Sequence, residues 1–222
     1  PDLKAREEIL KLHTRNKHLS RDVNLRKLAL DTIYFSGAKS ENLLNESAML
    51  AAKKSEKEIT KEHIDRAYYK VLVGDEKKDR SGISARDRMI TAYHEAGHAL
   101  VTKLVSKENR VTKVSIIPST KGIGGFSLNI PPDRIYSTKE EIINNIKIAL
   151  GGRAAEELKF GKDKITTGAS SDLEKATELV FSMICIYGMD SSFGLLNYNN
   201  TQETSIYENK ELIKRAKDIL DS

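Results

Sequence analysis

Apolar residues recur at three- and four-residue intervals through most of the chain, the spacing that lines up one face of a helix. Pro1 to Asn16 carries Leu3, Ile9, Leu10 and Leu12 among charges. Asp22 is placed to cap a second helix, Val23 to Asp31, with Leu25, Leu28 and Ala29 facing inward. Ser36-Gly37-Ala38 interrupts the pattern, which resumes from Glu41 to Lys54 with Leu43, Leu44, Ala48 and Ala51 on one side. Thr60 caps a fourth helix, Lys61 to Val73, with Ile64, Ala67, Tyr68 and Leu72 inward and Gly74 at its end. Four short helices with brief connections predict a small bundle over residues 1–74.

Residues 75–82, Asp-Glu-Lys-Lys-Asp-Arg-Ser-Gly, have no apolar anchor and read as a linker to a second domain, 83–222. Ser84, with Asp87 three positions on, caps a long helix. Stepping it at about 100° per residue puts Ile90, Tyr93, Gly97, Leu100, Val101 and Leu104 on a broad apolar face. His94 and His98 fall at the edge of that face, and Glu95 falls further round, toward Thr91 and Thr102. Val111 to Ile117 alternates and is β-branched, so it predicts a strand ended by Pro118. Gly122 to Ile130 predicts a second extended segment. Ser137 and Glu140 form a capping box for a helix from Thr138 to about Leu158, within which lies Gly151-Gly152-Arg153-Ala154-Ala155-Glu156-Glu157. Paired glycines inside a helical pattern signal close helix packing or a kink. Ser171 and Glu174 form another box, with Asp172 in the first turn of a helix running to about Tyr187 and stopped by Gly188. Ser191 to Thr204 is loop-like, and Ser205 to Asp221 is a final amphipathic helix. The fold class is therefore mainly α, with a small β-sheet or hairpin in the second domain.

Composition narrows the class. The chain has 222 residues, 39% hydrophobic and 31% charged, which suits a core-forming protein. It contains no apolar run long enough to span a bilayer and no signal-peptide pattern. The net charge of +5 comes with Lys and Glu interspersed, so the basic balance reads as solvated helix faces and not as a nucleic-acid surface. Cys185 is the single cysteine and sits in the apolar run Met183-Ile184-Cys185-Ile186, where a buried reduced thiol is expected.

The chemistry concentrates in His94-Glu95-Ala96-Gly97-His98. Histidines at i and i+4 share a helix face and can reach one metal ion, and His-Glu-x-x-His is the pattern of zinc hydrolases. Such a site takes three protein ligands and leaves a position open for water. Ala99 to Arg110 holds no histidine, so the third ligand is sought among Asp172, Glu156 and Glu157. Spacing does not choose between them. Asp172 follows a Gly-rich turn at a helix start, while Glu156 and Glu157 lie inside a helix and could instead position a histidine or pair with Arg153. His13, His18 and His63 lack ligand spacing. Gly124-Gly125-Phe126-Ser127, in the second extended segment, is a candidate edge that pairs with extended substrate backbone.

Four motifs occur in order: His94 to Ala99; Lys113-Val114-Ser115-Ile116-Ile117-Pro118; Gly151 to Glu157; and Thr166-Thr167-Gly168-Ala169-Ser170-Ser171-Asp172. Together they resemble the peptidase domain of the FtsH family of membrane-anchored, ATP-dependent zinc proteases. Residues 1–74, with Arg6 to His13, Phe35-Ser36-Gly37-Ala38 and Leu43 to Ala48, resemble the C-terminal helical lid of an AAA+ ATPase module. The resemblance implies one Zn²⁺ per chain held by His94, His98 and Asp172, with Glu95 as the catalytic base. It implies unfolded or membrane-extracted polypeptides as substrates and a homo-hexamer in the full-length protein. It also implies a membrane anchor N-terminal to Pro1, with this part on the cytoplasmic side of a bacterial inner membrane or the matrix or stromal side in an organelle. No Gly-x-x-x-x-Gly-Lys-Ser/Thr loop occurs, so ATP and Mg²⁺ are expected to act only in the longer parent.

Overall fold

A computed structural model describes residues 1–77, 79, 81–120, 124–195, 197–198 and 210–222. The chain divides into two compact units. The first comprises Pro1–Ile83 together with Ile117–Gly125, and the second Ser84–Ile116 with Phe126–Ser222. The described residues are mainly helical, with one two-stranded sheet.

The first unit holds α1 (Leu3–Thr14), α2 (Leu25–Asp31), α3 (Gly37–Lys53) and α4 (Lys61–Val73). Its core is aliphatic and aromatic: Leu10, Leu43, Leu44, Ala29, Ala67 and Phe35 are all nearly inaccessible. Phe35 stacks on Tyr68 with ring centroids 5.7 Å apart, and the Tyr68 hydroxyl donates to Asp31 O at 2.8 Å. Buried Arg6 donates from Nε to Ala29 O and from Nη1 to Pro1 O, both at 2.9 Å, so its charge is solvated by backbone carbonyls. Tyr34 holds φ at 65°, a strained conformation for a residue with a Cβ, in the turn between α2 and α3.

In this unit two helix starts differ from the sequence expectation. Ser36-Gly37-Ala38 does not interrupt α3 but begins it: the Ser36 hydroxyl accepts from Lys39 N at 3.2 Å, and Gly37 is the first helical residue. Asn24, not Asp22, caps α2. Asp22 instead accepts from Lys61 N at 3.1 Å, across the bundle at the start of α4. Thr60 forms the cap of α4 in a box with His63, whose Nδ1 accepts from Thr60 N at 3.2 Å. Buried His63 is thus a structural histidine.

The second unit holds α5 (Ala85–Val105), β1 (Arg110–Ser115), β2 (Phe126–Ile130), α6 (Lys139–Phe160), α7 (Ser170–Cys185) and α8 (Lys210–Asp221). Ser84 caps α5 by accepting from Asp87 N at 3.0 Å. β1 and β2 pair antiparallel from Arg110↔Ile130 to Ser115↔Phe126, with an irregularity between Val111 and Lys113. The box of α6 is Thr138 with Glu141, one residue later than expected. α7 has no side-chain cap: the chain enters it through a 3-10 turn, Thr167–Ala169, and the Ser171–Glu174 box does not form. Ile142, Ile146, Val180, Met183, Ile184 and Leu212 build a core shared by α6, α7 and α8. Cys185 lies in that core, buried and free, and burial raises its thiol pKa. Of the last predicted helix, residues 205–209 lie outside the described residues, as do Gly122 and Ile123 of the second extended segment.

Candidate active site

Of the apolar face expected for α5, Gly97 is the residue that is fully buried. Leu100 is 60% and Leu104 70% exposed, whereas His94, Glu95, Gly97, His98 and Thr102 are buried. The helix is set by what packs on it. α6 crosses α5 where a Cβ at Gly97 would stand 2.3 Å from Gly151 O, so the two backbones touch. Only glycine permits that approach, and it turns the histidine side of α5 inward.

The imidazoles meet one stripe of α6. His94 Nδ1 lies 2.8 Å from Glu156 Oε1, and His98 Nδ1 lies 2.7 Å from Ile148 O. A carbonyl and a carboxylate only accept, so both Nδ1 atoms carry hydrogen and donate. In the neutral rings both Nε2 atoms are then bare. These two atoms stand 3.1 Å apart, and Asp172 Oδ2 is 3.1 Å from His94 Nε2 and 3.4 Å from His98 Nε2. Three lone-pair donors converge on one point, an arrangement that repels itself unless a cation stands between them. The separations suit three atoms sharing one ion at about 2.0–2.1 Å each. His94, His98 and Asp172 are a group able to hold a metal.

The electrostatics agree. Burial pushes the Asp172 carboxyl up, but when the rings take a second proton their Nε2–H groups donate to it, and this positive charge beside it holds the group well below the usual carboxylate range. Burial lowers His94, yet its bonds to Asp172 and Glu156 prevail and its pKa is raised. The site therefore attracts positive charge. Glu95 is different: burial raises its pKa, and the nearby histidines only partly offset that. Its carboxylate accepts from the Ser127 backbone N–H.

Glu156 is 1% exposed and bridges two elements, accepting from His94 through Oε1 and from Thr166 N through Oε2 at 2.8 Å. Of the three roles open to it from sequence, metal ligand, partner of a histidine or partner of Arg153, its contacts are those of a residue that orients a histidine. Glu157 faces outward, with Lys162 Nζ 3.6 Å away. β2 is tied to α5 a second time, by Asn129 Nδ2 donating to Thr102 Oγ1 at 3.0 Å while Thr102 donates to His98 O at 2.7 Å. Phe126 and Ser127 of the candidate substrate edge belong to this unit; Gly124 and Gly125 belong to the other.

The sequence model of peptidase family M41 matches residues 81–221. The chain belongs to peptidase family M41. The M41 chain is 57% identical over 199 residues to ATP-dependent zinc metalloprotease FtsH 1 of Alkaliphilus metalliredigens, covering 90% of this chain and 34% of that protein. It is 51% identical over 197 residues to ATP-dependent zinc metalloprotease FtsH of Lachnoclostridium phytofermentans, covering 89% of this chain and 34% of that protein. With its counterpart in Aquifex aeolicus it shares 46% over 195 residues, 87% of this chain and 30% of that protein. The M41 chain thus spans about a third of the length of the curated relatives it matches.

Two supports of the M41 site were not assigned from sequence. Ile148 acts through its backbone carbonyl, which residue type does not signal. Gly152 was read only as part of a packing pair, although it shares its four-residue interval with Ile148 and Glu156.

Proposed function

We propose that this chain is the zinc endopeptidase part of an ATP-driven, membrane-anchored protease. The observation that carries the reading is the convergence of three bare donor atoms, His94 Nε2, His98 Nε2 and Asp172 Oδ2, beside the buried carboxylate of Glu95. His94, His98 and Asp172 would hold one Zn²⁺ per chain. When bound, that ion supplies Lewis acidity to water and to a peptide carbonyl.

The protein's own groups do the rest. Glu156 and the Ile148 carbonyl fix both rings with Nε2 toward the ion, as partners of metal-bound histidines do. Glu95 takes a proton from the attacking water at its carboxylate and hands it to the departing amine nitrogen. Its raised pKa makes the carboxylate a stronger base for the first half of that exchange. The Ser127 N–H keeps the Glu95 carboxylate in place from β2. Of the candidate edge Gly124-Gly125-Phe126-Ser127, the part in β2, Phe126 and Ser127, offers substrate backbone an extended partner, with Glu95 beside Ser127. Substrates are unfolded or membrane-extracted polypeptides. Residues 1–74 act as the lid of the motor in the longer parent, which binds ATP and Mg²⁺, forms a homo-hexamer and carries the membrane anchor. This part then faces the cytoplasm of a bacterium, or the matrix or stroma of an organelle.

The test pairs metal analysis with cleavage of an unfolded protein such as casein, with and without a chelator. The expected result is one zinc per chain and cleavage that stops on chelation and returns with zinc. Cleavage indifferent to the chelator overturns the reading.

A further inference from the structure

We propose that Gly152 is a positioning residue of the metal site: its missing side chain is the space in which the two ligand nitrogens stand. The proposal rests on the zinc reading above and deepens it. A Cβ at residue 152 would lie 2.5 Å from His94 Cε1, 2.5 Å from His98 Nε2 and 2.6 Å from His94 Nε2. These atoms are the metal-facing edges of both rings. Real Cβ atoms essentially never come within 3.0 Å of another heavy atom, so something must shift.

The rings have nowhere cheap to go. His94 is pinned at Nδ1 by Glu156 at 2.8 Å and His98 by Ile148 O at 2.7 Å. A swing that clears residue 152 costs one of these bonds and turns a bare Nε2 away from Asp172. Moving the helices apart to make room would open the close Gly97–Gly151 contact on which α5 and α6 pack. The neighbouring glycines divide the work. Gly151 faces Gly97 O at 3.0 Å and Val101 Cγ2 at 3.1 Å, so it sets helix packing. Gly152 faces only imidazole among its nearest atoms, so it sets ligand geometry. Ile148, Gly152 and Glu156 follow at intervals of four on one face of α6. That stripe supplies an acceptor for one histidine, room for both Nε2 atoms, and an acceptor for the other.

The test uses the 222-residue chain and zinc alone. Gly152→Ala should weaken zinc binding by about 10- to 100-fold in competition with a chromogenic chelator, the range lost when an orienting partner is removed. Helical circular dichroism should be retained. A metal-free cycle separates positioning from packing. Gly152→Ala should lower the thermal midpoint in the parent background. In a His94→Ala/His98→Ala background it should raise it, because the space is then free and alanine is the better helix former. If Gly152→Ala does not fold by itself, folding restored in that background supports the proposal. Unchanged zinc affinity, or equal destabilisation in both backgrounds, overturns it. If the parent chain binds no zinc the zinc reading falls, while the metal-free cycle still decides the role of the glycine.

Discussion

α3 in the first unit and α5 in the second are both long, both capped by a serine and both buried along one side, yet they bury opposite things. The inward face of α3 is Leu43, Leu44 and Ala51, with Ser40 and Ser47 between them. Both serines satisfy themselves within the helix: Ser47 Oγ donates to Leu43 O at 2.7 Å and Ser40 Oγ to Ser36 O at 3.1 Å. The inward face of α5 is His94, Glu95, Gly97, His98 and Thr102, and leucines stand outside. Its imidazoles and carboxylate cannot be satisfied from within; α6 and β2 supply partners, and α7 brings Asp172 to the remaining ring nitrogens. One helix is held by removing apolar surface from water. The other is held against a second backbone by glycine and completed by polar groups that leave three donors bare.

The comparison breaks most sharply at Glu95. Glu95→Gln should reduce peptide cleavage by roughly 10²- to 10⁴-fold, the usual contribution of a general base, with zinc content unchanged. Normal turnover by this variant would remove Glu95 from its role. In α3 the matching deletion acts on stability alone. Leu43→Ala, at a fully buried site, should cost about 2–5 kcal/mol in chemical denaturation of the first unit and leave zinc affinity as it was. Glu156→Gln keeps the volume but weakens the acceptor on His94, and should lower zinc affinity by about 10- to 100-fold. If metal competition shows no change, Glu156 is merely a link to Thr166.

The smallest effect is a pH dependence in the second unit, away from the metal. Asp190 is buried, and both Arg215 Nε and Nη2 donate to its Oδ2, at 3.0 and 2.9 Å. Burial pushes its carboxyl up, but the Arg215 pair outweighs this and the pKa is lowered from 3.8. A depressed folded-state value adds stability above the ordinary pKa, and that stability is lost as pH falls through the depressed one. Thermal midpoints of the parent should therefore drop on acidification below about pH 4 more steeply than those of Asp190→Asn. Parallel curves would show that the pair carries no linkage.

Legibility followed the same divide. The helices of the first unit were readable because their largest core residues, Leu10, Leu43, Leu44 and Ile64, are apolar at helical spacing, and Lys61–Val73 was placed to the residue. The misses were local: Ser36-Gly37 read as a break because both residues also make turns, and Asp22 lost its capping role to a partner distant in sequence, Lys61. On α5 the periodicity put Gly97 inward, as it is, but carried Leu100 and Leu104 in with it, although the glycine contact and not the leucines sets the helix. The residues that converge were nonetheless in view from their types, since His94, His98, Asp172 and Glu156 were all singled out as site candidates. What spacing could not do was divide the acids between holding metal and holding a histidine. That division depends on a fold that brings residue 172 within 3.1 Å of residue 94.

The intervals of four between Ile148, Gly152 and Glu156 make α6 a ruler. Substitutions on its outer side leave the marks where they are. A change of length does not. One residue inserted between 148 and 156 turns everything downstream by about 100° around the axis and advances it by about 1.5 Å. The carboxylate would then leave its histidine, although every amino acid type were still present. The segment from 148 to 156 should thus vary in letters far more readily than in length, and a comparison of related chains can show this by the absence of gaps alone.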